Sequence, residues 1–570
     1  MVRKLLTLVF LYAVNLLCFA QAPQELSFYQ IKKPKDSGEK ITLETDRHFY
    51  CINEKLFFRA NYTFNKQIEG VAWSNVLYVE LIRWNGQKIV QAKYKLNDNG
   101  VSGFLIIPNT VLSGNYYLRA YTKWMRNFQA EEYAYKPVKV LNPFESNIDP
   151  GKPDDTGQDV IFRRPATGET YKNINCFTDK NSYKPREKIY LTLLLNNTEQ
   201  DYASFCISVA KTGSLDTNNY HIPFPEKAYP DEDTLTYLPE LRGISISGKI
   251  INANSRIPME NTVLHLSILQ ESRYFSTFLT KSNGMFYFTL PEFYGTYDFY
   301  IDALTDTLEN AEILIDNDFC NRSIQLDYIP FTLDDNEKKV AREMVINMQL
   351  AHMYNDSSRI DTADSTSLPF YGSPIKVYYT KDYIKLPNLE EFFFEIVKEV
   401  GVIHRKDRTF LKLVDRNDFE KLDPLILIDN IPVMNGSDFL KIPLDKIERI
   451  ELINKPYIAA MKRYNGVISI ATKKDDFAGI KLNTNSLFFS YRLFSDGSYI
   501  APDYSSNKNT RNADRRNLLF WDPYVELKSN QPKKLSFYSS DSKGEYIVYI
   551  RNLNDDGKSR IYGTCRIVVE

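Results

Sequence analysis

The sequence has few cysteines and none of the short motifs that mark common catalytic sites. Its 570 residues include six cysteines, of which Cys51, Cys176, Cys206, Cys320 and Cys565 follow the N-terminal segment. Their odd number and wide spacing exclude a disulfide framework, so we expect small buried thiols, with a Cys176–Cys206 pair as the alternative. Phosphate loops, His-Glu-x-x-His runs and Gly-x-Ser-x-Gly elbows do not occur. We therefore expect no catalytic residues, no cofactor and no bound metal.

An excess of one charge and long apolar runs are also lacking. The formal net charge is -1, which excludes a general attraction to nucleic acid or to anionic lipid. Beyond residue 20, no run reaches the ~18 apolar residues that a membrane-spanning helix requires. The sequence thus predicts no transmembrane segment in the mature chain.

The first 20 residues have the pattern of a signal peptide. Arg3 and Lys4 precede an apolar core, and Cys18-Phe19-Ala20 places small residues where a signal peptidase reads them. We expect cleavage before Gln21, export, and a polar tether over 21–40. The alternative is a lipoprotein signal acylated at Cys18, although Leu17 is bulkier than the residue usual before such a cysteine.

Tyrosine and phenylalanine, by contrast, are plentiful, with 39 and 35 residues. Aromatic residues favour strands, and turn signals such as Asn85-Gly86 recur between short apolar segments. The predicted fold class is mainly β, with tandem immunoglobulin-like sandwiches and one small α+β domain. The predicted boundaries are a first sandwich at 41–143, a linker at 144–170, a second sandwich at 171–240, a third at 241–330, a helix and polar loop at 331–370, the α+β domain at 371–480 and a C-terminal sandwich at 481–570.

Two of these sandwiches open with the same pattern. Thr45-Asp46-Arg47, Tyr50 and Glu54-Lys55 recur as Thr178-Asp179-Lys180, Tyr183 and Glu187-Lys188, 133 residues later. Two copies of one domain are the economical interpretation. The pattern, together with the closing segment 114–122, resembles the macroglobulin-type domains of secreted bacterial proteins. The Cys-Gly-Glu-Gln thioester of macroglobulin protease traps does not occur, so their covalent chemistry is not implied.

The third sandwich and the two helices have weaker signals. The run Ser282-Asn283-Gly284-Met285-Phe286-Tyr287-Phe288 resembles the carboxypeptidase-regulatory-like fold, which implies a spacer module. A helix is predicted from Thr332 to about Tyr354, with Thr332 as a plausible cap and Val340, Met344, Met348 and Ala351 on one face. A second helix opens with Asn388 as cap. Its apolar stripe comprises Leu389, Phe392, Phe393, Ile396, Val397 and Val400.

The most identifiable stretch runs from Pro424 to Lys474. Its three ordered blocks are Pro424 to Val433, Asp445 to Glu451 and Tyr464 to Lys474. They resemble the plug domain of TonB-dependent outer-membrane receptors, although Asn430 stands where that family often has glycine. About 90 residues follow, so we expect a plug-like domain without a barrel of its own.

Several residues are candidates for functional sites. For Asp429 and Asp445 we expect turn and cap roles rather than catalysis. His48 and Cys51 are predicted to lie in a turn and not to bind metal. The run Asp334-Asp335-Asn336-Glu337 is expected to be a favourable negative helix start rather than a cation site.

Two further sets of residues could mark the surface. Trp124, Met125 and Phe128 fit a buried core better than an exposed contact patch. Asp361-Thr362-Ala363 and Asp364-Ser365-Thr366 resemble the acceptor pattern for O-linked sugars in Bacteroidetes, and the simpler interpretation is a polar loop.

Together these features favour a non-enzymatic, exported scaffold of a Bacteroidetes-like bacterium. It would present the plug-like domain, in the periplasm or at the outer membrane, to an outer-membrane barrel or another envelope protein. The alternative is a surface or periplasmic glycan- or peptide-binding protein, or a hydrolase with an interdomain site, because loops of sandwich modules commonly carry such sites.

Overall fold

The structure is a computed structural model, and it confirms a mainly β protein with β-sandwiches and one small α+β domain. It describes residues 38–64, 73–97, 100–151, 170–171, 173–196, 202–215, 236–269, 274–303, 310–322, 324–354, 373–405, 408–414, 422–433, 439–459, 462–480, 482, 485–505, 513–552 and 560–570. The predicted signal peptide, nearly all of the tether and both predicted glycosylation motifs lie outside these residues.

The first half of the described chain is almost entirely strands. The strands of sandwich 1 are β1 (Glu39–Thr45), β2 (Phe49–Cys51), β3 (Lys55–Phe64), β4 (Val76–Ile82), β5 (Lys88–Lys95), β6 (Val101–Ile106), β7 (Gly114–Tyr121) and β8 (Ala134–Leu141). Sandwich 2 begins with β9 (Thr170–Tyr171), β10 (Ile174–Thr178), β11 (Ser182–Tyr183), β12 (Lys188–Leu195) and β13 (Tyr202–Lys211). Sandwich 3 begins with β14 (Ser245–Asn252), β15 (Val263–Ile268), β16 (Tyr274–Leu279), β17 (Met285–Thr289), β18 (Thr296–Ala303) and β19 (Ala311–Ile315).

Both α-helices of the described residues lie in the second half, whereas two 3₁₀ helices, Trp124–Asn127 and Ala130–Glu132, lie between β7 and β8. Helix α1 (Asp335–Tyr354) precedes the α+β domain, which contains β20 (Lys376–Tyr379), α2 (Leu389–Glu395), β21 (Val400–Arg405), β22 (Arg408–Leu413), β23 (Leu425–Ile428), β24 (Ile431–Pro432), β25 (Ile447–Ile453), β26 (Tyr457–Ala459), β27 (Lys462–Tyr464) and β28 (Val467–Thr472). The remaining strands are β29 (Leu487–Arg492), β30 (Leu518–Lys528), β31 (Lys533–Tyr538), β32 (Gly544–Asn552) and β33 (Arg560–Val569).

Sandwiches 1 and 2 have the same topology. Sandwich 1 pairs a β1-β3-β6 sheet with a β2-β8-β7-β4-β5 sheet. Sandwich 2 pairs a β10-β12-β31 sheet with a β11-β33-β32-β13-β30 sheet. The correspondence holds strand by strand, and it includes the parallel pairs β2–β8 and β11–β33. The repeat predicted from the sequence is therefore a repeat of a complete domain.

This topology corrects the predicted C-terminal sandwich at 481–570 and the predicted end of the second sandwich at 240. In sandwich 1, β4 and β5 are joined by a tight turn in which Gly86 has φ +80°. In sandwich 2 the equivalent strands are β13 and β30, which end at Lys211 and begin at Leu518. Everything between them is inserted at the position of that turn.

A second insertion lies inside the first. Sandwich 3 pairs a β17-β14-β19 sheet with a β16-β15-β18-β29 sheet. Strand β29 follows the α+β domain in sequence, and it pairs with β18 from Thr296 opposite Arg492 to Ile301 opposite Leu487. The α+β domain is therefore inserted in sandwich 3, and sandwich 3 is inserted in sandwich 2.

The repeated sequence pattern builds the same hydrogen-bond network twice. The Tyr50 hydroxyl donates to Asp46 Oδ1 at 2.7 Å, and the Tyr183 hydroxyl donates to Asp179 Oδ1 at 2.6 Å. The same carboxylate oxygens accept from the backbone N–H groups of Phe57 at 2.9 Å and Tyr190 at 3.0 Å. The repeated pattern thus stabilises the start of each domain through the same hydrogen bonds.

The core of sandwich 1 contains an ionisable group that makes stability depend on pH. Glu39 is buried, and the hydroxyls of Tyr62 and Thr122 donate to its carboxylate. Burial, opposed by these hydrogen bonds, raises the pKa of Glu39 from 4.5 to about 7. The folded state therefore favours the protonated form.

We expect this carboxyl to lower the free energy of unfolding by about 2 to 3 kcal/mol as the pH rises from 4.5 to 7, because the unfolded chain ionises first. Glu39→Gln removes the titration, so its stability relative to the natural protein should rise over the same window. Urea denaturation of both proteins at pH 5 and pH 8 measures the difference. Glu131→Gln, at an exposed position in the same sandwich, is the control, and an equal pH dependence of the natural protein and Glu39→Gln would contradict the assignment.

Candidate functional site

The α+β domain is attached to sandwich 3 through one face of its sheet, whose strand order is β20-β25-β28-β23-β24. Leu425, Leu427 and Val467 on this face form an apolar cluster with Phe275 of sandwich 3. The Ser267 hydroxyl donates to the backbone carbonyl of Asn430 at 2.6 Å. Ile428, which points to the opposite face of the sheet, packs in the domain's own core. Both faces of β23 are therefore covered, which explains its uninterrupted apolar sequence.

His265 lies beneath this attachment. It is 1% exposed, and its ring lies 5.8 Å from that of Phe275 and 5.5 Å from that of Tyr300. Burial lowers the pKa of His265 to about 3, which keeps the imidazole neutral at ordinary pH. The residue therefore packs as an aromatic ring against Phe275 and Tyr300 of sandwich 3.

The predicted turn at Asp429-Asn430 is confirmed, since both residues have positive φ, 45° and 68°. The Asp429 carboxylate accepts hydrogen bonds from the Thr472 N–H at 2.7 Å, the Thr472 hydroxyl at 2.6 Å and the Phe477 N–H at 3.0 Å. Burial raises the pKa of Asp429, and these hydrogen bonds act in the opposite direction. All three donors belong to the domain itself, so the carboxylate fixes the end of β28 against the turn. Asp445 is exposed in the 3₁₀ helix Leu444–Lys446.

Asp429→Ala should destabilise the α+β domain by about 2 to 4 kcal/mol, because it leaves buried donors unpaired and places alanine at positive φ. Asp429→Asn keeps a residue that tolerates the turn and should cost less. Hydrogen exchange of β23 and β28 measures the effect. Asp445→Ala is the matched control and is expected to stay within about 0.5 kcal/mol, and equal losses at the two aspartates would contradict the role given to Asp429.

The side of the α+β domain away from sandwich 3 exposes large apolar side chains. Ile384 is 70% exposed and Phe394 is 74% exposed. Tyr383, Ile403 and Val414 are also exposed, and they lie on the segment before α2 and on or beside the β21–β22 hairpin. These elements share the core of the domain, where Tyr383 packs on Phe392 at 5.6 Å between ring centroids. We call Tyr383, Ile384, Phe394, Ile403 and Val414 the outward surface.

Helix α2 differs from its prediction in length. Asn388 caps it as predicted, since its side chain accepts from the Glu391 N–H at 2.9 Å. The helix ends at Glu395, however, and Val400 begins β21. β-branched Val397 and Val400 and the following Gly401 disfavour a longer helix. Phe394 does not belong to the predicted apolar stripe, and this was the signal that it would point outward.

The acidic run before α1 attaches that helix to sandwich 1. Asp334 Oδ1 accepts from the N–H groups of Asn336 and Glu337, each at 2.8 Å, so Asp334 rather than Thr332 is the cap. Glu337 pairs with His48 at 3.0 Å and with Lys139 at 2.6 Å. Burial acts to raise the pKa of Glu337, but these hydrogen bonds lower it to about 2. The run is therefore a helix start and a domain contact.

The other candidate residues lie in cores. Trp124, Met125 and Phe128 are buried, as the favoured interpretation predicted. Cys51 was predicted in a turn but is the last residue of strand β2. It is buried and, like Cys176 and Cys206, is a free thiol. Among the residues that the structure describes, no group of three or more His, Cys, Asp or Glu side chains is arranged to hold a metal ion. Neither described α-helix is long and apolar enough to cross a membrane.

A cleft of about 410 Å³ lies between sandwiches 1 and 3. Phe319, Phe489 and Tyr491 supply aromatic walls, and Lys93 closes the floor with its Nζ 3.7 Å from the Tyr491 ring centroid. Lys93 also pairs with Asp318 at 2.5 Å. Burial, opposed by Asp318, lowers the pKa of Lys93. The Lys93–Asp318 pair joins the two sandwiches, so the Asp318 carboxylate already takes part in a structural contact.

Comparison with known proteins gives little further information. No protein-family model matches the chain, and no curated protein matches it by sequence. Among solved structures, Salmonella α2-macroglobulin reacted with methylamine aligns at 8% identity over 93% of this chain and 39% of that chain, with a TM-score of 0.22. Native Escherichia coli α2-macroglobulin aligns at 8% identity over 94% and 40%, with a TM-score of 0.23. Dimeric latent PorU from Porphyromonas gingivalis aligns at 9% identity over 93% and 34%, with a TM-score of 0.13.

The chain thus spans less than half the length of these structures. TM-scores of 0.13 to 0.23 assign neither a common overall architecture nor a function.

Proposed function

We propose that the protein is a non-enzymatic, exported scaffold that presents its α+β domain to a partner in the bacterial envelope. The domain resembles a TonB-dependent receptor plug in its sequence blocks, and the partner is an outer-membrane barrel or another envelope protein. The site of action is the periplasm or the outer membrane. The signal-peptide pattern of residues 1–20 and the sandwich modules support this proposal.

The observation that carries it is the two-sided construction of the α+β domain. One sheet face is buried on sandwich 3 through Leu425, Leu427 and Val467, and the other side exposes the outward surface. Contiguous exposed apolar patches mark interaction sites in soluble proteins, and we propose that the outward surface forms such a patch. Strand β29, which follows the domain in sequence, pairs with β18 of sandwich 3. The outward surface is thus held ready for contact with a partner.

The test uses pull-down from detergent-solubilised outer membranes. The natural chain is expected to recover a specific envelope protein, and the double variant Ile384→Asp/Phe394→Asp is expected to lose it. Ile500→Asp is the matched control, because Ile500 is 85% exposed and lies outside the α+β domain. Recovery of no membrane protein, or equal recovery by the double variant, would overturn the proposal.

The alternative, binding of a small ligand such as a glycan or peptide, is favoured by the aromatic cleft between sandwiches 1 and 3. Aromatic walls suit the flat faces of sugar rings and apolar side chains. Equilibrium dialysis with labelled oligosaccharides and peptides tests it, and Phe489→Ala should abolish any binding. Hydrolysis is not favoured, since Asp318 is paired with Lys93 and Asp316 accepts a hydrogen bond from Ser247 at 2.8 Å.

A further inference from the structure

The two copies of the repeated domain differ in what covers them. In sandwich 1, the outer face of the β1-β3-β6 sheet is buried against sandwich 2. Phe57, at the centre of this face, is 8% exposed and packs in a cluster with Cys206, Trp521 and Tyr549. Arg59 on the same face donates to the backbone carbonyl of Pro523 at 2.5 Å. The cover is the outer face of the five-stranded sheet of sandwich 2.

The equivalent face of sandwich 2 is open. Tyr190 occupies the position of Phe57, 133 residues later, and is 51% exposed. Phe177 occupies the position of Glu44 and is 56% exposed, whereas Glu44 is 2% exposed. The strand pairing places Lys534 opposite Thr192 and Tyr538 opposite Lys188. We call Phe177, Lys188, Tyr190, Lys534 and Tyr538 the open face.

The chemistry of the open face differs from that of an ordinary solvated sheet face. Exposed aromatic side chains stand in its middle, and exposed lysines flank them on two strands. The Lys188 Nζ lies 5.7 Å from the Tyr190 ring centroid and 5.6 Å from that of Tyr538. An aromatic centre with a charged rim is the composition of a protein interface. At one end of the face Tyr538 packs on Tyr504 at 5.5 Å between ring centroids, and Lys188 lies beside the Asp503 carboxylate. The charge left for a carboxylate of a partner is that of Lys534, which is exposed.

A second copy of this chain does not supply the required cover. The outer face of the five-stranded sheet in sandwich 2 is occupied by sandwich 1. In sandwich 1 the matching face is covered by the segment after β19: Tyr117 donates to the carbonyl of Asp327 at 2.6 Å, and Tyr121 accepts from the Cys320 N–H at 2.7 Å. Two open faces placed together would bring lysines towards lysines, which is unfavourable.

We propose that the open face binds a β-sandwich domain of another protein, seated as sandwich 2 is seated on sandwich 1. The bound sheet has an apolar centre against Phe177 and Tyr190 and a carboxylate against Lys534. This interface lies on sandwich 2 and is independent of the outward surface of the α+β domain.

The experiment places a photocrosslinking phenylalanine analogue at Tyr190 in the cells that produce the protein. The control position is Phe144, which is 62% exposed on the segment after β8. The expected result is one partner crosslinked from position 190 but not from position 144, with the attached peptide in a β-sheet. Lys534→Glu should reduce the yield about tenfold, and a carboxylate-to-lysine change in the attached strand of the partner should restore it.

Rescue by the paired charge reversal is the supporting result, since capture alone does not define the surface. Crosslinks that are absent, equal at both positions, directed to a second copy, or insensitive to Lys534→Glu overturn the proposal. Circular dichroism and the unfolding midpoint of Lys534→Glu confirm that the variant is folded. The Ile384→Asp/Phe394→Asp variant should keep the position-190 crosslink, which separates this interface from the proposed docking of the α+β domain.

Discussion

Replacing Arg551 by methionine is expected to destabilise the protein by about 3 to 5 kcal/mol. The Arg551 side chain is 5% exposed between sandwiches 1 and 2. Its Nε donates to Glu44 at 3.1 Å, its Nη1 donates to Ser208 at 3.2 Å, and its Nη2 donates to the carbonyl of Thr45. Methionine fills a similar volume but removes the guanidinium from the Glu44 carboxylate, which is 3% exposed and keeps its pair with Lys136 at 3.0 Å. The cost is that of a buried charge which has lost its main partner.

The chain provides a matched control for this substitution. Arg566 on β33 pairs with Glu545 at 3.0 Å, but the two side chains are 74% and 40% exposed. Arg566→Met should change the free energy of unfolding by no more than about 0.5 kcal/mol. The double variant Arg551→Met/Glu44→Gln should recover much of the loss, since the buried carboxylate that lost Arg551 is no longer charged. Urea denaturation measures all three variants, and equal effects at Arg551 and Arg566 would contradict the role of the buried pair.

The local elements of this fold could be predicted from the sequence because their signals are local. Asn388 caps α2, Asn430 tolerates the positive φ of its turn, and the continuous apolar run of β23 is buried on both faces. The glycine at 466 is also required, since a Cβ there would lie 2.2 Å from the carbonyl oxygen of Ile453. Each of these features depends on a few neighbouring residues, which a single sequence displays.

The nesting could not be predicted in the same way. The strand β31 alternates like any sandwich strand, and nothing in Lys533 to Tyr538 states that its neighbour is β12, more than three hundred residues earlier. Pairing across such a distance is decided by which sheet still has an unpaired edge, and this is a property of the whole fold. The domain repeat did contain the information, since sandwich 1 has eight strands and only four counterparts of them, β10 to β13, occur in the second copy before residue 240.

The candidate sites were predictable to different degrees. The exposure of Phe394 follows from its absence from the apolar stripe of α2. That of Phe177 and Tyr190 does not, because their counterparts Glu44 and Phe57 are buried in the first copy. Identical strand positions have different environments once one domain packs on another. Only the assembled sandwiches distinguish a covered face from an open one.

The nested topology predicts that a chain truncated after residue 505 cannot form sandwich 2. The larger sheet of sandwich 2 has six strands, β11-β33-β32-β13-β30 and β9, which pairs with β33. Three of these six strands, and one of the three in the β10-β12-β31 sheet, come from residues after 505. Strand β13 would lose both of its neighbours, β30 and β32. We expect the amide hydrogens of 174–195 and 202–211 to exchange as fast as in an unfolded chain, because unpaired apolar strands do not form a stable sheet.

Hydrogen exchange with mass spectrometry measures the loss of protection in these strands. A second deletion controls for the number of residues removed. A chain in which residues 374–482 are replaced by a flexible Gly-Ser linker loses more residues but keeps every strand of sandwich 2. Peptides from 174–195 should stay protected in that chain and lose protection in the chain that ends at 505. If residues 513–570 formed a separate domain, their removal would leave 174–195 protected, and that result would contradict the nested arrangement. Protection of 174–195 therefore depends on strands more than three hundred residues away and not on the α+β domain that lies between them in sequence.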